Sequence, residues 1–249
     1  MLWLSLLICA AFADYPGQLD YSVRAVGRSY SLGFLTEGTA GYSQPVWGDP
    51  ASGPMFGYVR PSAAFGTSGL TNVARADIEL YPVSILGVRL GRSWTHRANK
   101  LPGFDCKSMR CDGWVGESLV ALRALAGLGN WFGAFDYEWR FFDRSEDSRP
   151  LAESFLGFAL SPAGDQTRTG RGTVGYRLSP RWSVGLQGAR SFALSSSGRG
   201  AMDVAFVRSQ GSVWTWLVGT GRFAGTPVFG SQFVGVFMVQ WVGLTKLGL

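Results

Sequence analysis

The chain has 249 residues and a formal net charge of +6, and 46% of it is hydrophobic, with 10 Trp, 17 Phe and 8 Tyr. Of its 23 basic residues only Lys100, Lys107 and Lys246 are lysine, and the positive charge is spread too diffusely to form a nucleic-acid-binding face. After the N-terminal segment no run approaches the roughly 20 apolar residues of a spanning helix. The best stretch, Phe233 to Leu244, is too short and is interrupted by Gln240.

The first element is an export signal. Leu2-Trp3-Leu4-Ser5-Leu6-Leu7-Ile8 is apolar, and Ala11-Phe12-Ala13 is a small-x-small cleavage pattern. Residues 1–13 are therefore expected to be a cleaved signal peptide, with 14–249 as the mature chain beginning at Asp14. Cys9 is not a lipoprotein cysteine, because Ile8 before it is not small. An exported chain this rich in aromatics, without a spanning helix, has one other route into a membrane. That route is an all-β, antiparallel, closed barrel, whose backbone groups are satisfied between strands.

Period-2 alternation supports this. In Val73 to Leu80, Arg75, Asp77 and Glu79 alternate with Ala74, Ala76, Ile78 and Leu80. After the Pro82-Val83-Ser84 connection, Leu86, Val88 and Leu90 alternate with Gly87, Arg89 and Gly91. In Trp131 to Phe142, Phe135, Tyr137, Trp139 and Phe141 oppose Asp136, Glu138 and Arg140. In Thr173 to Leu178, Val174, Tyr176 and Leu178 oppose Thr173, Gly175 and Arg177. Aromatics toward strand ends, such as Trp131, Trp139, Phe233, Phe237 and Trp241, fit a girdle facing lipid. A soluble barrel or sandwich would carry the same alternation with its faces reversed.

Twelve strands are expected, near 20–34, 38–46, 56–66, 72–81, 85–95, 114–126, 131–142, 171–179, 182–193, 201–208, 212–223 and 231–245; ten and fourteen are the alternatives. Pro82-Val83-Ser84, Gly127-Leu128-Gly129-Asn130 and Pro180-Arg181 form short turns at one end, and 96–113, 143–170, 194–200 and 224–230 form longer loops at the other. Glu153 to Ser161 reads as a loop hairpin or a strand extension. The pattern of the first strand changes face near Arg28, as at a β-bulge.

The residues expected to line the lumen are Arg60, Arg75, Arg89, Arg123, Arg140, Arg171 and Arg177, with Asp77, Glu79, Glu117, Asp136, Glu138 and Asp203. This near-balance suggests cross-strand Arg–carboxylate networks. Their reach across the Pro82-Val83-Ser84 turn would join Arg75, Asp77 and Glu79 to Arg89. Across the Gly127 to Asn130 turn, Glu138 and Arg140 would meet Glu117 and Arg123. Such pairs either plug a narrow interior or leave a pore with a segregated field.

Cys106 and Cys111 remain once the signal is removed, and an oxidising compartment favours a disulfide within one loop. No further soft ligands lie near them, so no metal site is expected, and no cofactor. His96, the single histidine, sits in Ser93-Trp94-Thr95-His96-Arg97-Ala98, where alternation puts Ser93 and Thr95 on the opposite face. That arrangement gives no matched nucleophile, and a non-enzymatic role is expected. Gly170-Arg171-Gly172 and Gly219-Thr220-Gly221 lack the strand-to-helix setting of a phosphate loop.

The signal segment, alternating strands, asymmetric connections and C-terminal strand together resemble the bacterial outer-membrane β-barrel class. The resemblance is architectural and spans the mature chain. It implies localisation in the outer membrane, with outer-membrane lipids and the barrel-assembly machinery as partners. The class usually ends in an aromatic residue, and Leu249 stands there instead. The function this implies is a narrow monomeric channel for small polar or anionic solutes. A structural or surface-interaction barrel with a charge-plugged lumen is the alternative, and a membrane-embedded lipid hydrolase is a third.

Overall fold

The alternating segments pair edge to edge until the last meets the first. The computed structural model describes residues 17–29, 33–97, 105–145, 147–153, 158–226 and 229–244. The expected signal peptide, its cleavage point before Asp14 and Leu249 fall outside these residues.

Twelve antiparallel strands close a barrel. They are β1 (Gln18–Arg28), β2 (Gly33–Trp47), β3 (Gly57–Thr67), β4 (Thr71–Val83), β5 (Leu86–Arg97), β6 (Gly113–Leu128), β7 (Trp131–Phe142), β10 (Asp165–Arg177), β11 (Trp182–Ala193), β12 (Arg199–Gln210), β13 (Trp214–Thr226) and β14 (Phe229–Leu244). Between β7 and β10, β8 (Leu151–Glu153) and β9 (Phe158–Leu160) form a separate two-stranded hairpin. Each barrel strand pairs with its sequence neighbours, β7 with β10, and β1 closes on β14 with Arg28 opposite Val236.

The connections 84–85, 129–130, 178–181 and 211–213 lie at one end, here the turn end, together with 48–56 and its 3-10 turn Pro50–Ser52. Gly129 has a φ of 59° in the two-residue turn between β6 and β7. This is the first central position that a type II′ hairpin reserves for glycine. The two longest connections, 98–112 and 143–164, lie at the opposite, loop end.

Two sequence expectations shift here. The predicted first strand, 20–34, is cut by the connection 29–32, and β2 starts at Gly33 rather than at 38. The apparent change of face near Arg28 is thus the end of the strand. Even-numbered residues stay inside along β1, and Arg28 itself lies over the Phe223 ring at 5.1 Å. The bulge sits instead at the closing seam, where the register with β14 slips between Tyr21 and Ser22, opposite Gly243. Glu153 to Ser161, the ambiguous segment, contributes β9 and the end of β8.

The outer wall is apolar. Phe34, Phe65, Ile78, Leu90, Leu122, Phe135, Leu186, Val207, Val218 and Phe237 are all exposed. Trp131, Trp182 and Trp214 begin their strands at the turn end, while Trp94, Trp114 and Phe141 stand near the loop end. Strands of twelve or thirteen residues, at about 3.3 Å each and tilted about 40°, rise about 30 Å, enough to cross an apolar band of about 25 Å. Tyr137 is at the middle of β7 and packs edge-on against Trp139, ring centroids 4.5 Å apart. Tyr137→Arg should therefore cost about 2–4 kcal/mol in folding into lipid, and Phe233→Arg, near the loop end, less than half of that. Equal costs at the two sites, measured by urea titration in vesicles, would contradict this outer face.

Candidate functional site: the charged lumen

The inward set of β1 to β7 is a belt of arginines and carboxylates. Arg60 is buried and its guanidinium reaches Asp20 on β1, two strands away, with Nε 2.8 Å and Nη2 2.5 Å from the carboxylate. It also donates to Glu79 at 2.9 Å, its register partner on β4. To span β2, the Arg60 side chain crosses Gly41, where an added Cβ would fall 2.5 Å from Arg60 Cζ. Arg75 bridges Glu37 at 3.5 Å and Asp77 at 2.7 Å, and Arg24 reaches Glu37 at 2.9 Å.

Glu138 is the hub of the next sector. It is 2% exposed and takes Arg89 at 2.8 Å, Arg140 at 3.0 Å and Arg171 at 3.1 Å. Arg89 on β5 crosses buried Ala121 on β6 to reach β7, since Arg89, Ala121 and Glu138 share one register row. Arg140 also reaches Glu117 at 3.4 Å, and Arg123 pairs with Asp136 at 2.7 Å. Although they face inward, the side chains of Arg89, Arg140, Arg171 and Arg123 remain 18–31% accessible to solvent.

Arg177 and Arg208 face inward near the turn end, Arg208 lying 5.5 Å over the Phe132 ring. Beyond β10 the inner wall changes character. Val204, Phe223 and Val234 are buried together with Met202 and Val236 against them, and Gly185, Gly219 and Gly221 fill other inward positions.

The lumen residues expected from the sequence lie on this inner face, with one correction. Asp203 is on the outer wall. In register it faces Arg222 and Gly188, and both its oxygens take Arg190 at 2.8 Å. Val204 and Phe206, which polarity alone would send to lipid, point inward there. Asp20, Glu37, Arg24, Arg28, Arg97 and Arg208 line the interior without having been expected. Asp20, Arg24 and Arg28 do share one strand parity, a signal obscured by extending the first strand to residue 34. Arg89 pairs with Glu138 on β7, while Glu79, its register partner across the turn, is bridged by Arg60. Phe135, Tyr137, Trp139, Phe141, Phe233, Phe237 and Trp241 all have outward parity on β7 and β14.

The loop end is partly covered. Leu151, Ala152, Phe158 and Leu160 of the hairpin are at most 5% exposed, and Leu151, Phe158 and Leu160 pack with inward Val115, Phe142 and Ala193. Arg97, at the top of β5, donates to the Ala152 carbonyl and to Glu153 at 3.1 Å. Cys106 and Cys111 are disulfide-bonded, and Cys111 packs against Ala152. Arg110 extends this tie through backbone bonds to Pro150 and Ala152 and a side-chain bond to Ser145. Arg149 holds the Asp147 carboxyl down at about 2 and donates to the Cys106 carbonyl. That pairing is present above the ordinary carboxylate pKa and is lost only as pH falls through about 2.

His96 faces outward, its ring centroid 4.8 Å from that of Trp114. Ser93 points inward and donates to Glu117 at 2.8 Å. The two are therefore on opposite sides of the wall.

Glu138→Ala should destabilise the folded barrel by about 3 kcal/mol, the low end for breaking a buried pair, because the three arginines keep access to lumen water. Glu138→Gln should cost less. If equilibrium unfolding in detergent shows both variants as stable as wild type, Glu138 does not hold these arginines together.

No protein-family model matches the chain, and no curated protein matches it in sequence. Solved structures do match in shape. The NanC porin is 12% identical, with 89% of this chain and 98% of that one covered and a TM-score of 0.50. The KdgM porin is 11% identical over the same shares, at 0.46. The β domain of the Bordetella autotransporter BrkA is 14% identical over 91% and 99%, at 0.41. Closed by β1 and β14, apolar outside and charged within, this chain has the fold of the bacterial outer-membrane β-barrels.

Proposed function

We propose that this protein is an outer-membrane channel for small anionic solutes, narrowed at the loop end by the β8–β9 hairpin. The observation that carries the proposal is the cluster at Glu138. Three arginines share one carboxylate there, and their side chains, facing the lumen, keep 18–26% of their surface accessible. Along β5 to β12 the inward Arg89, Arg97, Arg123, Arg140, Arg171, Arg177 and Arg208 outnumber Glu117, Asp136, Glu138, Glu153 and Asp165. On β1 to β4, Arg24, Arg28, Arg60 and Arg75 are matched by Asp20, Glu37, Asp77 and Glu79. One side of the lumen is thus positive and the other neutral, and such a field draws anions along one wall. The fold is shared with a porin, NanC. Outer-membrane residence, in contact with lipid, follows from the apolar exterior, and delivery there requires the N-terminal signal segment and the barrel-assembly machinery.

A charge-plugged structural barrel is the second reading, favoured by the burial of the hairpin in the mouth. A plug made by the charges themselves needs ion pairs that meet across the lumen. The wall pairs described here join positions on one strand, on adjacent strands or one strand apart, so they brace the wall.

Planar-bilayer recording separates the two. The channel reading expects small anion-selective conductance. Replacing Arg177 and Arg208 by Gln should lower the anion-to-cation permeability ratio without changing the fold. Removing residues 151–160 should raise conductance while the selectivity persists. A wild-type protein that inserts but never conducts, and conducts only after that deletion, would establish the plug.

A further inference from the structure

The outer wall is uncharged along β1 to β4, yet four arginines stand together on the outside of β10 to β13. Arg168, Phe192 and Arg199 lie in one register row across β10, β11 and β12. Neighbouring strands are about 4.8 Å apart, which puts the backbones of Arg168 and Arg199 about 10 Å from each other, with Phe192 between. One row lower, Arg190 pairs with Gly170 and Ala201. The row below that holds Asp203 opposite Arg222. All four arginines are exposed. Asp203 is the one acid among them and is engaged by Arg190, while Arg222 donates to Ser231 at 3.0 Å. The patch therefore carries an excess of positive charge.

Its height matters as much as its sign. Arg199 begins β12, and Arg168 and Arg190 lie three residues from the loop-end limits of β10 and β11. At about 2.5 Å of rise per residue, a band of about 25 Å leaves Arg199 at its loop-end edge and Arg168 and Arg190 a few ångström inside it, from where long arginine side chains extend up to the headgroups. Directly below, exposed Val174, Leu186, Val207 and Val218 form an apolar wall suited to acyl chains. Forked guanidinium donors bind phosphate oxygens at two points each, and two arginines about 10 Å apart suit a phosphate group lodged between them.

We propose that Arg168, Arg190, Arg199 and Arg222 form a binding site for the phosphate headgroup of a phosphorylated lipid in the leaflet at the loop end of the barrel. The proposal rests on the membrane-barrel reading and is independent of conduction through the lumen. Two phosphates on one bulky headgroup would engage the Arg168–Arg199 row and Arg222 together, with the acyl chains descending over Leu186 and Val207.

The test uses the whole folded barrel in dodecyl maltoside micelles, with native mass spectrometry of bound diphosphoryl lipid A, its dephosphorylated form and phosphatidylcholine. Wild type should retain the diphosphorylated lipid selectively. Replacing Arg168 and Arg199 by Gln should lower its apparent affinity by about tenfold, equivalent to one well-made contact. Replacing Arg92 by Gln, on the far side of the wall and already paired with Asp143, should leave it unchanged. Equal binding of the dephosphorylated lipid, or an unchanged affinity in the double variant, would overturn the site. Competition by inorganic phosphate at concentrations equal to the lipid would show a free-anion site instead and would also overturn it. Heat-shifted gel migration of each variant verifies the barrel, and Arg199→Gln alone, at the rim, serves if the double variant does not fold. Wild-type protein that is soluble without detergent would instead refute the membrane reading beneath the proposal.

Discussion

The pairing of β1 with β14 is the constraint on which everything else depends. In an apolar medium no water is available for an open sheet edge, so every backbone N–H and C=O in the layer must find a partner on a neighbouring strand. Closure leaves two surfaces and no edges, and it commits each residue to one of them by parity alone. A slip of one position would exchange lipid-facing aromatics for lumen arginines along a whole strand. That makes the seam a demanding place for irregularity. The one slip at the seam comes between Tyr21 and Ser22, near the turn end, where the backbone approaches water again.

Within the ring, long side chains need room that the strands must concede. Arg60 reaches Asp20 because Gly41 stands between them, and Arg89 reaches Glu138 because Ala121 does. Small residues on the inner face are thus the floor over which the guanidinium groups extend. They do not simply dilute the charge. The result is a belt of pairs running around the wall. A belt of this kind braces neighbouring strands against one another, whereas pairs spanning the axis would tie opposite walls together. Narrowing is assigned to a different part of the chain, the β8–β9 hairpin, which fills the mouth with Phe158 and Leu160 and is tied down by Arg97 and the disulfide loop. Wall charge and mouth width can therefore vary separately.

Much of this was legible in the alternation itself. Val73 to Leu80 and Trp131 to Phe142 carry charge on one parity and bulky apolar groups on the other, so their faces follow from burial cost alone. The same logic fails on β12. There the inner face, Met202, Val204 and Phe206, is as apolar as the outer, and a lone Asp203 cannot set the parity. Its position is decided by Arg190 and Arg222, residues far apart in sequence that only strand register brings together. The end of the first strand is hidden in the sequence for a related reason. Residues 29–34 keep enough aromatic character to look continuous with β1, while the connection at 29–32 contains neither the Gly-Asn nor the Pro pattern that marks the turns elsewhere. Taken as one strand to residue 34, the segment shows a change of face near Arg28, and Asp20 and Arg24 do not stand out as lumen charges.

The correction at Asp203 changes the electrostatics on both sides of the wall. Removing that carboxylate from the interior leaves Arg171, Arg177 and Arg208 along β10 and β12 with less negative charge opposite them, and so sharpens the positive side of the lumen. Placing it outside, beside Arg190, prevents four clustered arginines from repelling one another without compensation at the membrane surface. Exposed pairs contribute little to stability in water. At a headgroup boundary their role is different, because an arginine already oriented by a carboxylate presents its remaining donors in a fixed direction. Arg190 uses its fork on Asp203, which leaves Arg168 and Arg199, one row above, as the groups positioned to meet an anion arriving from the bilayer.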